Sequence, residues 1–262
     1  MPGRGPEHDQ ADDQADAPAE TAPPRPRTRS GGKRPFDLSA PWGRVRARLH
    51  MSLKDHGILR ALWANDHQVC PGVWRANQPS PERMRSWKAR GIRTVLNLRG
   101  DRPESYWLLE AEAAEALGLD LVDVSLRARK LPTRERLLEL EAVFRRVETP
   151  LVMHCKSGAD RTGFAAALWL IMIEDRPVIE AMRELHWRFL HFRNGPTGVL
   201  DQFLRSYAAA EAATGIAFMD WVREVYDPAA VTAEFARWQA GRRRWLPAFL
   251  TGGGGAEEGE EG

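Results

Sequence analysis

The sequence predicts an α/β protein with a central, mostly parallel sheet flanked by helices and a helical C-terminal extension. Three observations predict it. Short β-type runs alternate with capped helical segments through the first two thirds of the chain. The apolar run Leu151-Val152-Met153 enters a glycine-containing loop that opens directly into an apolar helix. Beyond residue 178 every segment reads as helix.

The elements follow in order. Residues 44–63 have helical spacing, with Val45, Leu49, Leu53, Leu59 and Leu62 apolar. Val73-Trp74-Arg75 is a short strand after the Pro71-Gly72 turn. Ser80 caps a helix begun by Pro81, which stops before Gly91. Thr94-Val95-Leu96-Asn97-Leu98 is a compact strand closed by Gly100. A helix over 103–117 stops at Gly118, and residues 119–126 form another strand. Thr133 caps a helix running to about residue 147. The strand 151–153 and the helix 162–173 flank the loop between them. Helices are then expected over 178–192, 197–213, 216–225 and 229–243.

Composition sets the domain plan. The first 35 residues are rich in Pro and charge and read as a disordered arm, acidic and then basic. Residues 36–68 are a basic helical segment and 69–213 the main domain. Residues 214–250 are a helical extension, and 251–262 a disordered acidic, Gly-rich tail.

The chain carries 38 basic against 36 acidic residues, a formal net charge of +2. No nucleic-acid partner follows from such a balance. Two cysteines form no disulfide framework and no paired-Cys zinc site. The longest apolar run, Phe164 to Ile173, is far shorter than the ~20 residues of a membrane span. With no signal-peptide pattern, a cytoplasmic location is expected. The basic residues Arg44, Arg46, Arg48 and Lys54 leave open a peripheral contact with an anionic membrane, against packing on the domain.

The chemistry-bearing segment is His154-Cys155-Lys156-Ser157-Gly158-Ala159-Asp160-Arg161-Thr162-Gly163. It sits where a strand ends and a helix begins, the place where α/β sheets bind ligands. A helix N-terminus and nearby positive groups lower a cysteine pKa, so Cys155 is the candidate nucleophile, with His154 and Arg161 tuning it. Gly158 and the short residues Ser157 and Ala159 allow the backbone to curl so that successive N–H groups converge on one anion, and Lys156, within the loop, is a candidate contact for further phosphates. Arg161, six residues after Cys155, offers a planar fork to two phosphate oxygens. Thr162 can donate its hydroxyl to Cys155. For proton donation Asp160 is the nearest carboxyl, with Asp123, Asp101 and Glu135 as alternatives.

These residues resemble the signature of the protein tyrosine and dual-specificity phosphatase superfamily, His-Cys-x-x-Gly-x-x-Arg-Thr-Gly. The similarity extends over residues 69–207, through Val73-Trp74-Arg75-Ala76-Asn77-Gln78-Pro79 and Gly91-Ile92-Arg93-Thr94-Val95-Leu96-Asn97-Leu98-Arg99. The resemblance is to small, atypical bacterial dual-specificity-like members. It implies a dual-specificity phosphatase-like fold, a phosphocysteine at Cys155, phosphate held by Arg161 and the loop amides, and neither metal nor cofactor.

Many members carry an Asp on a separate loop as general acid. The corresponding stretch here, Arg127-Ala128-Arg129-Lys130-Leu131-Pro132, has no carboxylate. Myotubularins and some bacterial phosphoinositide phosphatases instead place an Asp directly before the loop Arg, and Asp160 matches that position.

Arg127, Arg129 and Lys130, with Arg99 at the end of its strand, are candidate contacts for further phosphates, against a solvated turn. The expected substrates are therefore phosphotyrosine or phosphoserine/threonine proteins, or phosphoinositide and inositol phosphate compounds. The alternative from another class is a catalytically silent phosphate-binding module. Two minor readings complete the set. Cys70 is a possible disulfide partner of Cys155, and His186 and His191 are read as members of a packed helix rather than as metal ligands.

Overall fold

The computed structural model describes residues 64–243, with Trp42, Gly43, Val45, Arg46 and His50 before them. The expected arms at 1–35 and 251–262, and most of the expected helix at 44–63, lie outside the described residues.

The fold is α/β, as expected. Five strands form one sheet: β1 (His67–Cys70), β2 (Val73–Ala76), β3 (Thr94–Asn97), β4 (Asp120–Asp123) and β5 (Leu151–His154). Their spatial order is β1-β2-β5-β3-β4. Only β1 pairs antiparallel, with β2 across the Pro71-Gly72 turn, and the other pairings are parallel. Strand β1 was not expected, because His67-Gln68-Val69-Cys70 has too few apolar residues to read as a strand. The strand expected over 119–126 is only four residues long.

Helices cover both faces. The smaller core contains Val95 and Val152, packed beneath α1 (Pro81–Ala89) and α2 (Ser105–Leu117). The larger core takes the alternate residues Val73, Leu96, Leu151 and Met153. It is closed by α3 (Arg134–Arg146), α4 (Asp160–Met172) and the helical C-terminal half. Strand β5 is covered on both sides, and Leu151, Val152 and Met153 have no exposed surface. Such a central parallel strand is a continuous apolar run rather than an alternating one. Helix α4 is likewise buried from Thr162 to Met172, in keeping with its apolar sequence on every side.

Two pairings set the level of the site. Ala76 and Asn97 both lie opposite His154, so three neighbouring parallel strands end together. The loops that follow them share one edge of the sheet.

The segment 178–198 departs from expectation. One helix over 178–192 was predicted. The chain instead forms a four-residue helix α5 (Val178–Ala181) and three single 3₁₀ turns at Met182–Glu184, Trp187–Phe189 and Pro196–Gly198. Tertiary contacts outweigh helix propensity here. The Arg75 side chain, with no exposed surface, donates from Nη1 to the backbone oxygen of Glu184 at 2.7 Å and to its Oε2 at 2.6 Å. The Phe189 ring lies 3.7 Å beneath the same guanidinium. Leu190 then turns through φ +63°, which releases the chain from the helical path. After this segment come α6 (Val199–Thr214), α7 (Phe218–Glu224) and α8 (Pro228–Arg243), close to the expected bounds.

Breaking the Arg75–Glu184 pair leaves a carboxylate unpaired in the interior. Arg75→Met is expected to lower stability by about 3–5 kcal/mol in urea titration. A loss below about 1 kcal/mol would remove this pair as a structural support.

Candidate functional site

The loop between β5 and α4 is held by its carbonyls. Gln78 N–H donates to the Lys156 oxygen at 3.3 Å. Asn65 Nδ2 donates to the Ser157 oxygen at 3.1 Å. Arg75 Nη2 donates to the Gly158 oxygen at 2.7 Å and the Ala159 oxygen at 3.3 Å. Four successive carbonyls are thus drawn outward. In a trans peptide the N–H of the next residue points the opposite way, so the amides of residues 157–160 turn toward the loop interior. The amides of Gly158 and Thr162 reach the Cys155 thiol there.

Gly158 is required by geometry. Its φ is +72°, and a Cβ there would lie 2.8 Å from the backbone carbon and oxygen of Ala76. Asn65 takes a left-handed φ of +50° to deliver its clamp and is almost fully buried.

Cys155 belongs to the larger core and is 1% exposed. Burial works against ionisation of its thiol. The charge of Arg161, the Thr162 hydroxyl, and the Thr162 and Gly158 amides outweigh burial and bring the pKa below its ordinary value. The Thr162 hydroxyl is itself buried and has no oxygen or nitrogen partner. No side chain caps the N-terminus of α4, so its first N–H groups remain for an anion. The structure thus brings Cys155, the curled backbone and the start of α4 together.

The basic rim is assembled as well. Arg99, Arg102, Arg127, Arg129, Lys130 and Arg161 line one cleft of about 560 Å³, with Tyr106 in its wall. Among the described residues, Glu104 is the only carboxylate in that lining. Arg99 is held by a hydrogen bond from Nη1 to Gln78 Oε1 at 2.7 Å, and its guanidinium lies 3.2 Å above the Tyr106 ring.

The four candidate proton donors separate in space. Asp160 opens α4, with Oδ1 2.8 Å from His191 Nδ1. Asp123 accepts from Asn97 Nδ2 at 2.7 Å and from Trp107 Nε1 at 3.1 Å. It stands two strands from β5, about 10 Å across the sheet. Asp101 is an exposed loop residue. Glu135 is exposed in the first turn of α3, where its own amide and the Thr133 side chain hold its carboxyl below the usual range.

His154 is placed differently from its sequence reading. Its ring points away from the thiol, and Nε2 lies 2.5 Å from Glu110 Oε1. Glu110 also accepts from Gln78 Nε2 at 2.7 Å. A buried chain thus runs from His154 through Glu110 and Gln78 to Arg99, tying the base of the loop to the cleft wall. His186 and His191 are not on a common helix. His186 accepts from Arg188 N–H, while His191 is buried between Asp160 and Asp201. Cys70 stands opposite Val73, which stands opposite Leu151. Cys155 lies four positions beyond Leu151, about 13 Å along a strand. A disulfide needs Cα atoms within about 7 Å, so this pairing does not fit the fold.

Sequence reasoning missed Asn65, Arg75, Gln78, Glu110, Glu184 and Asp201. Only Arg75 gave a signal, as a charged residue inside a strand next to Val73 and Ala76. Gln78 lies in the stretch 73–79 that carries the resemblance but has no assigned role there, Glu110 lies in a helix of ordinary composition, and Asn65, Glu184 and Asp201 lie in segments with no motif.

Comparison with known proteins returned three kinds of finding. No curated protein matches the chain. Among solved structures, TpbA of P. aeruginosa is 20% identical, covering 57% of this chain and 91% of its own, at a TM-score of 0.43. PTPMT1 is 18% identical, covering 57% and 99%, at 0.42. The Siw14 catalytic core is 20% identical, covering 70% and 94%, at 0.38. A family model described as "DSP-PTPase phosphatase fused to NAD+ Kinase" matches residues 62–193, half of the chain and the whole of the sheet and loop described above. The protein belongs to this DSP-PTPase phosphatase family.

Proposed function

We propose that the protein is a phosphomonoester hydrolase working through a phosphocysteine at Cys155. The observation that carries this reading is a thiol at 1% exposure with the Thr162 hydroxyl, the Thr162 and Gly158 amides and the charge of Arg161 gathered on it. Burial alone makes a cysteine inert, so the surrounding charges and amides have overcome it.

In the first step the Cys155 thiolate attacks phosphorus, the ester P–O bond breaks, and Asp160 gives a proton to the leaving oxygen. Arg161 and the inward amides hold the transferring phosphoryl oxygens, where charge stabilisation is usually the largest catalytic contribution. In the second step water attacks the phosphocysteine. Its proton returns to Asp160, inorganic phosphate leaves, and the Thr162 hydroxyl receives the thiolate. Lys156, Ser157, Gly158 and Ala159 supply the phosphate-binding backbone, with His154 anchoring the loop's base.

The cleft supports a preference among substrates. Six cationic side chains against one carboxylate suit a molecule with further phosphates near the scissile one. An inositol phosphate or a phosphoinositide head group answers that description better than an isolated phosphotyrosine. A silent phosphate-binding module would have no need of a lowered thiol pKa.

Two experiments test the reading. Cys155→Ser is expected to abolish hydrolysis of p-nitrophenyl phosphate, assayed with chelator present; activity surviving in that variant would refute the phosphocysteine. The double substitution Arg127→Ala/Arg129→Ala is expected to lower kcat/KM for inositol polyphosphates about tenfold more than for p-nitrophenyl phosphate, since each lost charge-assisted contact is worth about 1.5–3 kcal/mol at most. Equal losses on the two substrates would remove the rim from substrate recognition.

A further inference from the structure

Asp160, His191 and Asp201 form a carboxylate–imidazole–carboxylate chain. His191 Nδ1 lies 2.8 Å from Asp160 Oδ1, and its Nε2 lies 2.7 Å from Asp201 Oδ2. The three side chains are graded in exposure. The Asp160 side chain is 23% exposed, that of Asp201 9% and that of His191 0%. Solvent or substrate therefore meets the chain at Asp160, on the catalytic loop, and the other two stand behind it.

The proton count follows from the donors. An ionised carboxylate only accepts, and a neutral imidazole has only one N–H. Two carboxylate hydrogen bonds on the two ring nitrogens therefore need one extra proton, either on the ring or on a carboxyl. The trio holds that proton in a buried place whose outermost member, Asp160, belongs to the loop that follows Cys155.

We propose that Asp160 and His191 act as a single proton-donating pair, oriented by Asp201, rather than Asp160 donating alone. This rests on the reading of Asp160 as the proton donor. In the first chemical step the one stored proton passes from His191 Nδ1 to Asp160 and on to the leaving oxygen, so that Asp160 ends as a carboxylate. His191 is left neutral, with its Nε2–H on Asp201. In the second step the water's proton runs back by the same route, so the trio ends as it began. His191 and Asp201 are positioning residues, since neither touches the reacting atoms.

The electrostatics agree with this role. Burial opposes protonation of His191, but the hydrogen bonds and charges of Asp160 and Asp201 prevail and raise its pKa to about 9. The charged groups facing it are Asp160 from α4 and Asp201 from α6, and Arg193 faces Asp201 in turn. A solitary Asp loses its proton near pH ~4. The pair retains one through neutral pH, which lets a carboxyl on this loop work as an acid there. The sign follows: the stored proton is held at neutral pH and is lost as pH rises through about 9.

The test compares kcat/KM for phenyl phosphate, a poor leaving group, with that for p-nitrophenyl phosphate, a good one, across pH. Asp160→Asn and His191→Gln are each expected to lower the phenyl phosphate value about 10²-fold or more, and the p-nitrophenyl value much less. The double variant is expected to fall no further than Asp160→Asn alone, as for groups acting as one unit. If Asp160→Asn shows this split and His191→Gln does not, Asp160 donates alone, and the pair is refuted while the acid reading stands. If neither shows it, the acid reading fails and the pair with it. Equal loss on both substrates in His191→Gln, alongside a lowered Tm, makes His191 merely structural and also refutes the pair. Should His191→Gln not fold, Asp201→Asn decides. Its alkaline limit for phenyl phosphate is expected about one pH unit below that of the wild type, and an unchanged limit overturns the proposal.

Discussion

The arrangement of the loop between β5 and α4 depends on one buried cation. Arg75 projects from β2 with no exposed surface and distributes its donors between two segments far apart in sequence. One side of its fork fixes Glu184, and the other takes the carbonyls of Gly158 and Ala159. A Lys cannot reproduce this, because only a planar guanidinium presents several donors in one fixed fork. With Asn65 and the Gln78 amide, Arg75 turns the carbonyl face of the loop outward. The amide face is left for an anion. The anion site is thus built from the outside, by what holds the carbonyls, as much as by the glycine that permits the turn.

The same constraint accounts for the irregular chain after α5. A regular helix over 178–192 would carry Glu184, Phe189 and His191 at helical spacing. The fold needs Glu184 on Arg75, Phe189 beneath its guanidinium, and His191 against Asp160. Short 3₁₀ turns and one left-handed residue, Leu190, meet those three demands together. Local regularity is given up where the site draws on the segment. Departures from sequence-level rules commonly concentrate at functional places.

What could be read from the sequence and what could not have separate physical origins. The sheet and its helices were readable because strand and helix periods, caps and glycine stops are local signals. The continuous apolar run at 151–153 announced a central buried strand, and Ser80 and Thr133 cap helices as expected. The loop was readable because its chemistry lies within ten consecutive residues. Its supports were not, since Asn65, Arg75, Glu110 and Glu184 act across long separations and no spacing marks them. By its apolar neighbours His191 reads as a member of a packed helix. Only the packing of the loop at 190–193 against the starts of α4 and α6 reveals its two carboxylate partners. His154 was placed correctly in the motif, but strand alternation turns its ring toward Glu110 and away from the thiol.

The central claim is that this scaffold ionises a fully buried thiol. The most direct measurement is the ultraviolet absorbance of thiolate against pH, taken as wild type minus Cys155→Ser. The other cysteine, Cys70, cancels in that difference; its own pKa is pushed up to about 12 by burial and by Glu174. The difference is expected to show a step with its midpoint well below the ordinary thiol value of ~8.5. A midpoint at or above that value would contradict the claim, because burial would then have prevailed over Arg161, Thr162 and the loop amides.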